Sequence, residues 1–202
     1  MTLSEKLEIP LFPLSVFLLP GERMQLHIFE PRYRQLFTEL EQGNPMFGIP
    51  YVKDGNHTGY GARCRLVRVM KKYLGGESDV IIECEGLFKM EDYRPEKEGK
   101  LYPFGTVSLM RGISKERANA PMLLEYERLF EALSDSDVPL QCQDTDMVLG
   151  ILSSLNPSSE QKYAIVRLED DEERMEQVTR LISMMTLLIE QEKANEQGWY
   201  LN

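Results

Sequence analysis

Residues 9–40 read IPLFPLSVFLLPGERMQLHIFEPRYRQLFTEL, and the hydrophobic period changes inside this stretch. Met24, Leu26 and Ile28 alternate with Gln25, His27 and Phe29, the two-residue period of a half-buried strand. At Glu30-Pro31 the period switches. Proline suits the first helical position, where its missing N–H would have had no partner. Tyr33, Leu36, Phe37 and Leu40 then share one helical face, and Gly43 is the expected C-cap. Upstream, Pro10, Pro13 and Pro20 cannot donate to a ladder, so residues 9–19 are expected to form an edge or bulged strand. Pro20-Gly21 marks a turn. The unit is strand, turn, strand, helix. Alternation points Met24, Leu26 and Ile28 one way and Phe29 the other, so these side chains do not all fit under one sheet face.

Downstream, short β-like runs continue. Residues 46–52 are expected to be a strand, 54–57 a turn and 59–69 a second strand. In that strand the apolar side shifts from Cys64 and Leu66 to Val67 and Val69, the mark of a β-bulge. After the Gly75-Gly76 turn, Val80, Ile82, Cys84, Gly86, Phe88 and Met90 alternate strictly. Residues 95–100 form a charged loop, and residues 102–110 a last strand with Val107 and Leu109 on its apolar side. Many short strands, glycine-rich turns and one early helix predict a small, irregular β-barrel.

The period then becomes helical. Met122, Tyr126, Leu129, Phe130 and Leu133 share one face. A polar linker at 134–137 precedes a helix capped by Asp144 or Thr145 and ended by Asn156-Pro157. Ser158 with Gln161, and Asp170 with Glu173, have capping-box spacing. The acidic run 170–173 suits the positive end of a helix. Met175, Val178, Ile182, Met185 and Ile189 step by three and four along a long final helix, and Leu181 and Leu188 widen that stripe. The chain is therefore read as α+β. A β-rich subdomain at 1–115 precedes an acidic helical bundle at 116–202.

Charge draws the same boundary. Residues 1–115 carry 16 Lys+Arg against 15 Asp+Glu, and residues 116–202 carry 7 against 18. The overall charge of −10 argues against nucleic acid as a general partner, because phosphate contacts need excess cations. Cys64, Cys84 and Cys142 lack paired spacing and read as reduced thiols of a cytoplasmic protein. The opening residues lack the apolar core of a signal peptide, and no run is long enough to span a membrane.

Catalytic chemistry finds little footing. Gly99-Lys100-Leu101 has neither the leading glycine nor the hydroxyl of a phosphate loop. Ser159-Glu160-Gln161-Lys162 is a Ser-x-x-Lys tetrapeptide, but its companion motifs are missing and helix capping accounts for the serines. His27 and His57 have no metal-ligand partner at a diagnostic spacing, so neither metal nor cofactor is expected. Arg63, Arg65, Arg68, Lys71 and Lys72 form the one basic cluster, which also suits a solvated strand face.

The segments PLFPL (10–14), LPG (19–21) and LHIFEPRY (26–33), with Phe47-Gly48, Gly59-Tyr60-Gly61 and Gly86-Leu87-Phe88, resemble the substrate-binding N-terminal domain of Lon proteases in its small stand-alone form. Leu87 departs from the pattern, which carries a basic residue there. Leu155, Ser158, Glu160, Gln161, Lys162 and Arg174 extend the resemblance into the helical half. The resemblance implies a PUA-like pseudo-barrel with a helical bundle. It also implies a non-catalytic module, without Lon's ATPase and Ser–Lys peptidase domains, that binds client polypeptides or a partner ATPase or protease. Phe12, Phe17, Phe29, Arg32 and Tyr33 are the expected contacts, since this opening stretch holds more large apolar area than one edge strand and one helix usually bury. PUA-like folds often bind RNA, and Arg63, Arg65 and Lys71 would carry that alternative.

Overall fold

The computed structural model describes residues 6–95, 97–133 and 147–199. The chain divides into two compact units, Met1–Ser114 and Lys115–Asn202. In the first, β1 (Lys6–Pro10), β2 (Arg23–Ile28), β3 (Met46–Lys53), β4 (Asn56–Lys72), β5 (Ser78–Arg94) and β6 (Phe104–Leu109) form one antiparallel sheet. Its order is β1-β6-β5-β4-β3, with β2 also on β5. β5 is the hub. It has β4 along one side, while β2 and β6 share the other, at residues 78–83 and 88–94.

The expected barrel is an open six-stranded sheet whose ladders do not close. The chain leaves the ladder after β1 because Pro10 and Pro13 have no N–H to give. Single parallel bridges follow instead, Leu11 with Gly48 and Leu14 with Tyr51. Phe12 N–H donates to Gly48 O at 2.8 Å, and Val52 N–H to Leu14 O at 2.9 Å. At the expected turn, Glu22 N–H donates to Leu19 O at 3.0 Å, with Gly21 at φ +87°. Gly21 N–H then donates to Cys84 O, and Cys84 N–H to Glu22 O. Two residues thus face one, a glycine bulge that sets β2 onto β5.

α1 (Pro31–Gln42) begins at the proline and buries Tyr33, Leu36, Phe37 and Leu40. These pack with Leu26, Ile28, Phe47, Ile49, Val80 and Ile82 in the main core. Phe12 stands edge-on to Tyr33 at 4.3 Å and to Phe37 at 5.7 Å. A smaller core joins Ile9, Leu11, Phe88 and Val107. The motif glycines make room for it. A Cβ at Gly61 would stand 2.4 Å from Ile49 O and 2.6 Å from the Phe88 ring, and one at Gly48 would meet Ile9, Leu11 and Phe88.

The β4–β5 register slips between Arg63 and Cys64 and again after Leu66. The first slip ends the strict alternation read for β5, so the neighbours Leu87 and Phe88 are both buried. Cys64 and Cys84 face each other across these strands, both buried and free. The adjacent Cys84 thiol, together with burial, pushes the Cys64 thiol well up.

In the second unit the described residues form α2 (Ala120–Leu133), α3 (Val148–Ser154), α4 (Ser159–Val166) and α5 (Asp171–Trp199). α2 buries Met122, Tyr126, Leu129 and Leu133, while Phe130, expected on that face, is exposed. Ser158 and Gln161 make the expected capping box of α4. Asp170 accepts from Glu173 N–H at 2.8 Å, half of the second box. The linker at 134–137, Cys142 and the cap at Asp144 or Thr145 lie outside the described residues. Along α5, Val178 and Ile182 are fully buried, whereas Leu188 points to solvent. Arg174 is buried as well. Its guanidinium donates to Glu116 at 2.6 Å, to Asp171 at 2.7 Å and to Leu168 O.

Candidate functional site

The end of β2, the start of α1 and the β4–β5 hairpin meet on one surface of the first unit. The expected contact residues divide there. Phe12, Phe17 and Tyr33 are buried, so they do not reach solvent. Phe17 packs edge-on against Tyr51 at 5.5 Å, and Phe12 and Tyr33 pack against each other. The excess apolar area that argued for their exposure is absorbed because the irregular segment after β1 folds over α1 as a further core layer.

Phe29 does reach solvent, with 61 % of its surface exposed. It is the first residue after β2 and points away from the side that buries Leu26 and Ile28. Its ring stacks on His27 at 6.1 Å, and His27 meets Tyr73 edge-on at 5.7 Å. Asp79 faces His27 in the β2–β5 register. It takes His27 Nδ1 at 2.7 Å on one oxygen and the Tyr73 hydroxyl at 2.7 Å on the other. These two hydrogen bonds hold its carboxyl below the usual range. Lys71 Nζ lies 4.4 Å over the Tyr73 ring. Beside Tyr73, Leu74 is fully exposed at the hairpin tip. Arg32 is held by Glu30 at 2.8 Å, and its guanidinium covers the Tyr33 ring at 4.6 Å. The surface is therefore an apolar patch of Phe29, Tyr73 and Leu74 edged by Arg32, Lys71 and His27.

Sequence reasoning missed His27, Tyr73 and Leu74. A signal was present. Tyr73-Leu74 directly before Gly75-Gly76 places two large apolar residues at a turn, where polar residues are usual.

The patch rests on rigid parts. Gly76 has φ +89°, and a Cβ there would collide with the Arg34 guanidinium from α1. On the far side of α1, Gln35 donates to Gly99 O at 3.0 Å and accepts from Leu101 N–H at 2.9 Å. Glu39 takes Lys100 Nζ and the Tyr102 hydroxyl, each at 2.5 Å. Burial raises the Glu39 carboxyl, but the bonds from Lys100 and Tyr102 outweigh it and hold the group below its ordinary value. A carboxylate whose folded value is depressed stabilises above its unfolded value and loses that contribution as pH falls through the folded one. Glu39→Gln should therefore cost about 1 kcal/mol at pH 7. Urea denaturation at pH 3 should show little difference between the two proteins.

The residues read for RNA are committed elsewhere. Arg65 reaches Glu85 at 2.8 Å and Glu83 at 3.7 Å, Arg63 reaches Glu85 at 3.3 Å, and Arg23 reaches Glu83 at 2.7 Å. Cations and carboxylates alternate across β2, β5 and β4, which cancels the field a phosphate backbone would need. Lys71 lies on Tyr73. Among the described residues no three His, Cys, Asp or Glu side chains come together as a metal site. Ser159 is the first residue of α4, and the box at its start is made by Ser158. No described helix is long and apolar enough to cross a membrane.

The family model for the ATP-dependent protease La (Lon) substrate-binding domain matches residues 8–195. The chain belongs to this family. Among solved structures it is similar to a Lon N-terminal domain protein from Xanthomonas campestris, at 23 % identity and TM-score 0.66, covering 85 % of this chain and 96 % of that one. It is also similar to the N-terminal domain of Mycobacterium avium complex Lon protease, at 14 % identity and TM-score 0.60, covering 89 % and 97 %. At these identities the two structures speak for the Lon N-domain fold. No curated protein matches the chain. The family match covers the substrate-binding domain alone.

Proposed function

We propose that this chain is a non-catalytic polypeptide-recognition module of the cytoplasm. It binds apolar segments of client or partner chains through Phe29, Tyr73 and Leu74, with Arg32 and Lys71 at the rim, and presents them to a partner ATPase or protease. The observation that carries the reading is Phe29, a large aromatic side chain held in solvent by a strand whose other face is core. Aromatic side chains supply contact area at low conformational cost, and flanking cations suit segments that carry carboxylates. Phe12 and Tyr33 pack together in the core behind the start of α1 and Phe17 packs on Tyr51, so none of the three is assigned a direct contact. Family membership supports the polypeptide as ligand, and the buried free thiols suit a reducing compartment.

The test is capture of a permanently unfolded chain, reduced carboxymethylated α-lactalbumin. Phe29→Ser should leave the circular dichroism spectrum and thermal midpoint unchanged and weaken capture about tenfold. Undiminished capture by Phe29→Ser, or none by the parent, would sink the proposal.

A further inference from the structure

β2 has a second edge, and it is unused. Glu22 O accepts from Cys84 N–H, which sets the phase of the ladder that follows. Main-chain groups in an antiparallel pair point alternately toward and away from the partner. Met24, Leu26 and Ile28, opposite Ile82, Val80 and Ser78, therefore bond to β5. The N–H and C=O groups of Arg23, Gln25 and His27 point the other way. Among the described residues no main-chain partner meets them, and all three residues are exposed. An unpaired run of this kind is a template for one more strand.

The surroundings favour an occupant. The open edge runs directly into Phe29, so an extended chain lying along it ends at the apolar patch. We infer that an extended segment of an unfolded polypeptide adds to β2 as an edge strand, with an apolar side chain against Phe29. This rests on the polypeptide-recognition reading and makes it specific. The main chain supplies affinity whatever the sequence, and Phe29 selects segments that place an apolar side chain beside it.

Gln25→Pro tests it. Proline at 25 removes one outward N–H and leaves the bonds to β5 intact, which an edge strand tolerates. Capture of reduced carboxymethylated α-lactalbumin should fall about tenfold in Gln25→Pro and stay unchanged in Gln25→Ala. On the parent, the amides of Gln25 and His27 should exchange freely with deuterium and become protected when that chain is bound. Loss of capture in Phe29→Ser but not in Gln25→Pro, with unprotected amides, would reject strand addition while leaving the side-chain patch standing. Protection of the same amides at high protein concentration without client would mean that a second copy occupies the edge, and would also overturn the inference. Should Gln25→Pro not fold, amide exchange on the parent decides alone.

Discussion

Arg174→Met is expected to cost about 3–5 kcal/mol of stability, read as an earlier loss of helical circular dichroism in urea. The Arg174 and Glu116 side chains are 4 % and 7 % exposed, and one Glu116 oxygen already has no hydrogen-bond partner. Removing the guanidinium strands a carboxylate away from water. Burial already pushes the Glu116 carboxyl up, and Arg174 opposes that rise. Without it the folded value climbs further above the unfolded one. A raised folded value gives stability that is full below the unfolded value and is lost as pH rises through the folded one. The penalty should therefore shrink as pH falls from 7 to 4. Replacing both partners, as Glu116→Leu with Arg174→Met, should recover most of the loss, because two apolar side chains leave no uncompensated charge. A single variant as stable as the parent at pH 7 would show the pair to be dispensable.

Gly61→Ala should cost about 3 kcal/mol or more, and Gly48→Ala measurably less. Both glycines face Phe88, but their obstacles differ. At Gly48 the new methyl would meet the ends of Ile9, Leu11 and the Phe88 ring at 2.8–3.0 Å, and side-chain ends can shift. At Gly61 it would also meet Ile49 O at 2.4 Å. That oxygen belongs to β3, which is in register with β4 here, so relief requires the strands to part. Adding Phe88→Leu should rescue Gly48→Ala more than Gly61→Ala. Equal costs for the two alanines in urea denaturation would contradict this account.

The helix at Pro31 and the strand before it were readable because each has a local cause. A proline has one favourable helical position, and two-residue alternation has one buried face. The capping box at Ser158 was readable for the same reason. What escaped reading depends on distant partners. Pro10 and Pro13 signalled irregularity, but not that the segment after them would cover α1 and bury Phe12. The alternation in β5 broke because Glu85 is an extra residue opposite Arg63 and Cys64 of β4, a bulge that no count of apolar residues along β5 reveals. Arg174 looked like one more charge in an acidic helical region, although its partner lies 58 positions earlier. In the candidate site, Phe29 followed from alternation and Arg32 from its place beside the helix start. Tyr73 and Leu74 join them only because the hairpin tip folds back to His27.

β1 pairs with β6, Lys6 opposite Ser108 and Pro10 opposite Phe104. Of the six strands, the first to be synthesised is thus among the last to find its place. At about 5–20 residues per second, on the order of 100 residues of synthesis separate β1 from its partner, a wait of roughly 5–20 s. β2, α1, β3, β4 and β5 can assemble during that wait, but the small core around Phe88 stays incomplete, since Val107 belongs to β6 and β1 has no ladder partner before it. For those seconds the nascent chain itself carries an extended apolar segment, the same kind of ligand the finished protein is proposed to hold.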